Sequence, residues 1–260
     1  MYCAGFDLLY ENGPCLVANK PGGVLTQGPP GIDSIEMRIK AFLKQRDSKP
    51  GKVYLGVPHR LDRPVSGVMV FCKHVRATRR VAEQFEARTV QKRYCAVVEG
   101  QVYPEVGVWA DHMRKIPDIA KAELVESGHP DARLAVLRYR RIASQANVSL
   151  LEIELETGRM HQIRLQAATR GHAVWGDELY GSRCSFGPHT EDPRARWIAL
   201  HAMSLRFRHP MTRETVYREA PLPEVWWSHD MPAGLLEPLR DANAIFHSDP
   251  GSTCGGSEDV

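Results

Sequence analysis

Over residues 151–156, Leu151, Ile153 and Leu155 alternate with Glu152, Glu154 and Glu156. A period of two places the apolar side chains on one face of a β-strand and the glutamates on a wet face. Short β-branched or alternating runs predict strands at 15–18 (CLVA), 53–57 (VYLGV), 67–73 (GVMVFCK), 93–98 (RYCAVV), 134–139 (LAVLRY) and 150–156 (LLEIELE). A longer period marks a helix in VRATRRVAEQFEAR, with Val75, Thr78, Val81, Ala82 and Phe85 as its apolar stripe. A second helix is expected from Met160 to Arg170, with Gly171 placed to cap its end. The elements intermix without a regular βα alternation, which predicts an α+β fold with a mixed sheet. Between them, 28–31 (GPPG), 47–52 (DSKPGK), 127–131 (SGHPD) and 182–196 read as surface loops. From Ser248 onward the tail carries no apolar pattern, so a C-terminal extension over 231–260 is expected to be partly disordered, behind one domain over 1–230.

Composition agrees with this organisation: 260 residues, 43% apolar and 25% charged, suffice for a sizeable core. No run approaches a membrane span, and MYCAGFDLLYE lacks the basic region and long apolar run of a signal peptide, so a soluble, cytoplasmic protein is expected. The six cysteines form no C-x-x-C pair and no zinc-spaced cluster, which points to reduced thiols and no metal. A net charge of +3 favours a polyanionic partner only weakly. The phosphate-cradling, dinucleotide, serine-hydrolase and metalloprotease signatures are all absent, which removes the main support for those classes.

Three charged constellations remain. In VPHRLDRPVSG, Pro58 and Pro64 disfavour a helix and would hold Asp62 rigidly beside the sheet. Such a carboxylate is either a nucleophile or the salt-bridge partner of Arg60 or Arg63. In TGRMHQIRLQAATRGH, Arg159, His161, Gln162 and Arg164 crowd a strand-to-helix junction that favours anions; a solvated basic turn explains them equally. From Lys73 to Arg93, seven cations including Arg79, Arg80, Lys92 and Arg93 face only Glu83 and Glu86, as a phosphate-binding surface or a solvated helix face would. Tyr94 follows directly, placed either to stack on an unpaired base or to pack in the core.

Taken together and in order, VANKPGGVL (17–25), HRLDRPVSGVMVF (59–71), QKRYCAVVEG (91–100), TGRMHQIRLQAATRGHAVWGDELYG (157–181) and LHAMSLRFRHP (200–210) resemble the RluA-type family of RNA pseudouridine synthases. The resemblance implies the α+β pseudouridine synthase catalytic fold, a mixed, largely antiparallel sheet with flanking helices and a central cleft, in one catalytic domain over 1–230, and a cofactor-free isomerisation of uridine in structured RNA, ribosomal RNA first and transfer RNA second. It implies that Asp62 is the catalytic aspartate, that Tyr94 packs on the target base and helps remove its proton, that Arg164 pairs with the aspartate, and that Arg60 is linked to flipping the nucleotide out. RNA contacts are then expected from Arg79, Arg80, Lys92, Arg93, Arg159, His161 and Gln162. Val65 and Met160 stand where the family usually has threonine and threonine or serine. No N-terminal S4-like domain is expected, and the protein is expected to act as a monomer. The rivals are a non-catalytic RNA-binding protein on the same fold and a nucleoside hydrolase using Asp62.

Overall fold

The computed structural model describes residues 2–3, 5–227 and 231–240. Its strands are β1 (Tyr2–Cys3), β2 (Phe6–Asn12), β3 (Cys15–Lys20), β4 (Ser66–Cys72), β5 (Gln91–Glu99), β6 (Val106–Lys115), β7 (Ala122–Leu124), β8 (Arg133–Gln145), β9 (Val148–Leu155), β10 (Leu200–Arg208) and β11 (Thr215–Glu219). The helices are α1 (Ile35–Arg46), α2 (Val75–Glu86), α3 (Gln162–Ala168) and a short α4 (Glu237–Arg240). All eleven strands join one sheet in the order β1-β2-β3-β4-β10-β5-β9-β8-β6-β7, with β11 paired to β10.

Among the named strands of the described residues, β4–β10 is the one parallel pairing, and the expected mixed, largely antiparallel α+β sheet is therefore present. This seam joins the N-terminal strands β1–β4 to the later ones, with His201 opposite Ser66 and Ala202 opposite Gly67. Gly67 adopts φ +125°, and a Cβ there would stand 2.3 Å from the carbonyl oxygen of Ala202. Only glycine permits so close an approach with that backbone. Beneath the seam, Ser66 donates to His201 Nδ1 at 2.8 Å, and His201 Nε2 donates to the carbonyl of Ala220 at 3.1 Å. Both imidazole nitrogens are thus used by a neutral ring, and burial pulls the pKa of His201 down to about 4.

The alternation over 150–156 becomes β9, with Leu151 and Ile153 fully buried, and Glu152 pairing with Arg140 on β8 at 2.6 Å. At 53–57 the structure differs from expectation: the segment is extended, but its pairing is a single bridge from Gly56 to Cys72 rather than a strand. A β-branched run alone does not supply a neighbour to complete a ladder. The stripe of α2 is also rotated, since Ala77 and Val81 are buried while Val75 is 66% exposed. Val75 follows the N-cap residue His74, ahead of the turn that meets the sheet. Helix α3 is shorter than expected, because His161 takes a left-handed conformation (φ +54°) and starts it at Gln162. Its end is as expected: Gly171 at φ +80° donates to Ala168 and His172 donates to Ala167, the two bonds of a glycine-closed Schellman turn.

A main core runs under the N-terminal strands with α1 and α2, and a second cluster packs on the opposite side of β5 and β9. Met231, Leu235, Leu236 and Leu239 are buried in that second cluster with Cys95, Val97, Leu150 and Trp226, so residues just past 230 pack on the sheet. The expected tail from Ser248 lies outside the described residues. Among the described residues, no helix is long and apolar enough to cross a membrane.

Candidate active site

The loop that leads into β4 is fastened before it reaches the sheet. Thr26 Oγ1 accepts from the backbone N–H of Leu61 at 3.1 Å and donates to the Leu61 carbonyl at 2.8 Å. Lys20, fully buried, donates to the carbonyls of Pro21, Val24 and Arg63 at 2.9, 2.8 and 3.3 Å, three acceptors for the three protons of an ammonium. Burial lowers its pKa to about 7, with Asp62 acting in the opposite direction. His59 accepts from the Val70 N–H at 3.0 Å and stacks on Phe85 of α2 at 4.4 Å. Burial lowers its pKa to about 3, so His59 is a neutral brace rather than a base.

So held, Asp62 projects into a cleft. Its Oδ2 receives Arg164 Nη1 at 3.3 Å and has His161 Nε2 at 3.7 Å. Neither neighbour in its own loop pairs with it: Arg63 donates to the Gly23 carbonyl at 2.9 Å, and Arg60 is exposed along the cleft. The expected partner Arg164, on α3, is itself anchored by a residue that the sequence motifs did not single out. Asp177, 2% exposed, accepts from Arg164 Nε at 2.6 Å and Nη2 at 2.8 Å, a two-pronged pair. Burial works against the guanidinium charge, but Asp177 and Asp62 more than offset it, so Arg164 stays charged. One cation thus serves two carboxylates, and the better geometry goes to Asp177. Asp62 is left with the longer, single contact to Arg164 at 3.3 Å. The signal for Asp177 was an acid straight after Gly176 at the end of an apolar run, in HAVWGDELYG.

Tyr94 reaches the same place from β5. It is 9% exposed, and with Asp62, Arg60 and Arg164 it lines an inner cavity of about 130 Å³. Among the described residues its hydroxyl has no hydrogen-bond partner. Burial first, and Asp62 second, push its pKa well above the usual phenol value, so it is neutral at ordinary pH. A neutral phenol suits packing on a base better than taking its proton. Outside lies the main cleft, about 1100 Å³, bordered by Asp62, Gln27, Lys115, Ile119, Arg194 and Arg196. That exceeds a typical small-molecule site of roughly 300–1,000 Å³ and has room for a segment of a polymer.

The remaining expected RNA contacts fall in different places. Lys92 lies over Gly158, its Nζ 3.6 Å from where a Cβ would stand, and Arg159 follows in the chain. Burial and then Arg88 lower the pKa of Lys92, and burial, Arg88 and Arg133 lower that of Arg159, so these cations feel one another, and Arg159 lines the inner cavity. Gln162 is buried, with Oε1 accepting from the Arg159 N–H at 3.0 Å and the Thr157 hydroxyl at 2.8 Å, so it braces the turn. His161 lines both cavities. Arg93 lies 3.8 Å from Glu152, Arg79 3.3 Å from Glu83, and Arg80 donates to the Pro210 carbonyl at 2.8 Å. For Arg79 the solvated helix face therefore gains ground over the phosphate-binding surface.

Residues 14–169 match the family model described as RNA pseudouridylate synthase. The chain belongs to this family. Its match to the uncharacterized RNA pseudouridine synthase YhcT of Bacillus subtilis (strain 168) is 33% identical over 84% of the chain and 68% of the relative. Ribosomal large subunit pseudouridine synthase D of Xylella fastidiosa is 34% identical over 92% of the chain and 71% of the relative. In fold, the pseudouridine synthase chain superposes on the solved structure of Human RNA Pseudouridylate Synthase Domain Containing 4 with a TM-score of 0.69 at 23% identity, covering 90% of this chain and 92% of that one. Membership in this family makes the chain an RNA-directed isomerase, and the motifs that carried the resemblance are the segments that build the cleft.

Proposed function

We propose that this protein converts uridine to pseudouridine in ribosomal RNA, with Asp62 as its nucleophile and no cofactor. The observation that carries the proposal is the convergence of Asp62, Tyr94 and Arg164, from a loop, a strand and a helix far apart in sequence, on one cavity. The relative named as a ribosomal large subunit enzyme favours ribosomal over transfer RNA. The target base must leave its stack to reach Asp62, at a cost of a few kcal/mol. Arg60, exposed at the mouth of both cavities, is placed to occupy the space it vacates. Tyr94 packs on the flipped base. Asp62 attacks the anomeric carbon or the base, or assists glycal formation; in each route the N1–C1′ bond breaks and the base turns. A C5–C1′ bond then forms, and the proton leaves C5 while N1 gains one.

Arg164 orients the carboxylate without tying up both oxygens. The intact trio argues against a binding protein that no longer turns over. We place the enzyme in the cytoplasm, where bacteria such as the source of the Xylella fastidiosa relative make and modify ribosomal RNA, and infer that it acts as a monomer from one catalytic domain. Mapping pseudouridines in ribosomal and transfer RNA from cells with and without the gene tests the substrate. Loss of specific ribosomal positions is the expected result, and loss confined to transfer RNA contradicts it.

A further inference from the structure

Asp62 has a second neighbour whose geometry is set from outside the cleft. His161 Nε2 faces Asp62 Oδ2 at 3.7 Å, and its Nδ1 lies 2.9 Å from the hydroxyl of Tyr180. That hydroxyl receives the backbone N–H of Ala122 at 2.9 Å, so its own proton goes to His161 Nδ1 or to the Ala122 carbonyl at 3.4 Å. The shorter contact wins, and a carboxylate opposite Nε2 favours a proton there as well. The chain of bonds therefore runs from Ala122 N–H to Tyr180 to His161 Nδ1, and leaves Nε2–H pointing at Asp62.

The backbone and the rings hold this arrangement. His161 sits in the left-handed region at φ +54°, ahead of α3, which fixes where its ring begins. The ring meets Tyr180 edge-on at a centroid distance of 5.6 Å. Tyr180 in turn carries two cations against its ring, Arg164 at 5.2 Å and Lys121 at 5.5 Å. Thus one tyrosine touches the residue that pairs with Asp62, the residue that faces it, and the β6–β7 hairpin whose Lys115 and Ile119 border the cleft.

We propose that Tyr180 is a positioning residue that fixes His161 as the neutral Nε2–H tautomer, so that His161 and Arg164 both act on Oδ2 of Asp62 and leave Oδ1 as the reacting oxygen. This rests on the reading of Asp62 as the nucleophile. It assigns His161 to the aspartate in place of the RNA contact expected from sequence. Asp62, Arg164, Asp177 and Arg60 are the charged groups facing His161, and burial is what keeps its imidazole from taking a second proton.

Histidine nitrogen NMR of the wild-type protein at pH 7 reads the tautomer directly, and it does so whether or not the protein turns over RNA. Protonated Nε2 with bare Nδ1 at His161 is expected; a Nδ1–H tautomer or a doubly protonated ring overturns the proposal. In Tyr180→Phe, the single-turnover rate on saturating RNA should fall roughly 10-fold or more with RNA affinity unchanged, since a misplaced reacting group costs rate rather than binding. The His161 signal should then shift toward mixed tautomers. A Tyr180→Phe protein with a wild-type rate overturns the proposal, as does one whose RNA affinity and rate fall in proportion. Absence of turnover in the wild-type chain would instead refute the proposed function while the tautomer stood.

Discussion

Asp177→Asn perturbs the site at the point where its charges are balanced. Asp177 and Arg164 are 2% and 5% exposed in their side chains, and their two contacts measure 2.6 and 2.8 Å. An asparagine amide keeps one acceptor and turns a donor toward the guanidinium where the second carboxylate oxygen was. Removing one partner of a buried ion pair costs about 3–5 kcal/mol because the other charge is left uncompensated. Asp62, 3.3 Å from Nη1, supplies part of the missing compensation, which brings the expected loss of stability to about 2–4 kcal/mol. The same compensation has a chemical consequence. Arg164 swings toward Asp62, the nucleophile becomes better neutralised, and the rate should fall by roughly 100-fold. Urea unfolding measures the first effect, and single-turnover conversion of saturating RNA measures the second. A variant that stays within about 1 kcal/mol of wild type, the effect of a typical single substitution, and also turns over at the wild-type rate would refute the idea that Asp177 divides the charge of Arg164 between two carboxylates.

Thr26→Val removes both bonds to Leu61, so it should cost about 1–3 kcal/mol and slow turnover roughly 10-fold with little change in RNA affinity; denaturant titration and kinetics check both. Replacing Arg88, Lys92 and Arg159 together by alanine should flatten the salt dependence of RNA binding by roughly 0.7 in log–log slope for each phosphate no longer neutralised, whereas Arg79→Ala should change it little, because Arg79 faces Glu83. Stability should also fall as pH drops from 6.5 toward 4, since unfolded His201 takes a proton in that window and the folded ring, with its pKa near 4, does not. Between pH 6.5 and 5 this amounts to about 1–2 kcal/mol, and buried His59, with its pKa near 3, adds a similar amount, so His201→Gln should remove about half of the slope seen in urea titrations.

Particular residues show where the sequence was readable. Periodicity exposed β9 and the C-terminal end of α3 because Leu151 with Ile153, and Gly171, each obey a local rule. Helix α1 carried an equally local signal, Ile35, Ile39 and Leu43 behind the Ser34 cap, and was not among the expected elements. The parallel β4–β10 seam was unreadable for a physical reason: it depends on Gly67 meeting Ala202, two residues on opposite sides of the fold's central segments in sequence. At the site, Asp62, Tyr94 and Arg164 followed from the family motifs. Their electrostatics did not, because the charge on Asp62 depends on which carboxylate Arg164 prefers, and only the fold brings Asp177 to it. Tyr180 and Thr26 were missed likewise, since each acts through backbone atoms of another segment, Ala122 and Leu61.

The central claim is that the Asp62 carboxylate carries the isomerisation. Tritium release from RNA labelled at C5 of uridine, compared between wild type and Asp62→Asn with folding and RNA affinity measured alongside, tests it most directly. Loss of tritium release with folding and affinity retained is the predicted result. Release by Asp62→Asn at a rate comparable to wild type would contradict the account.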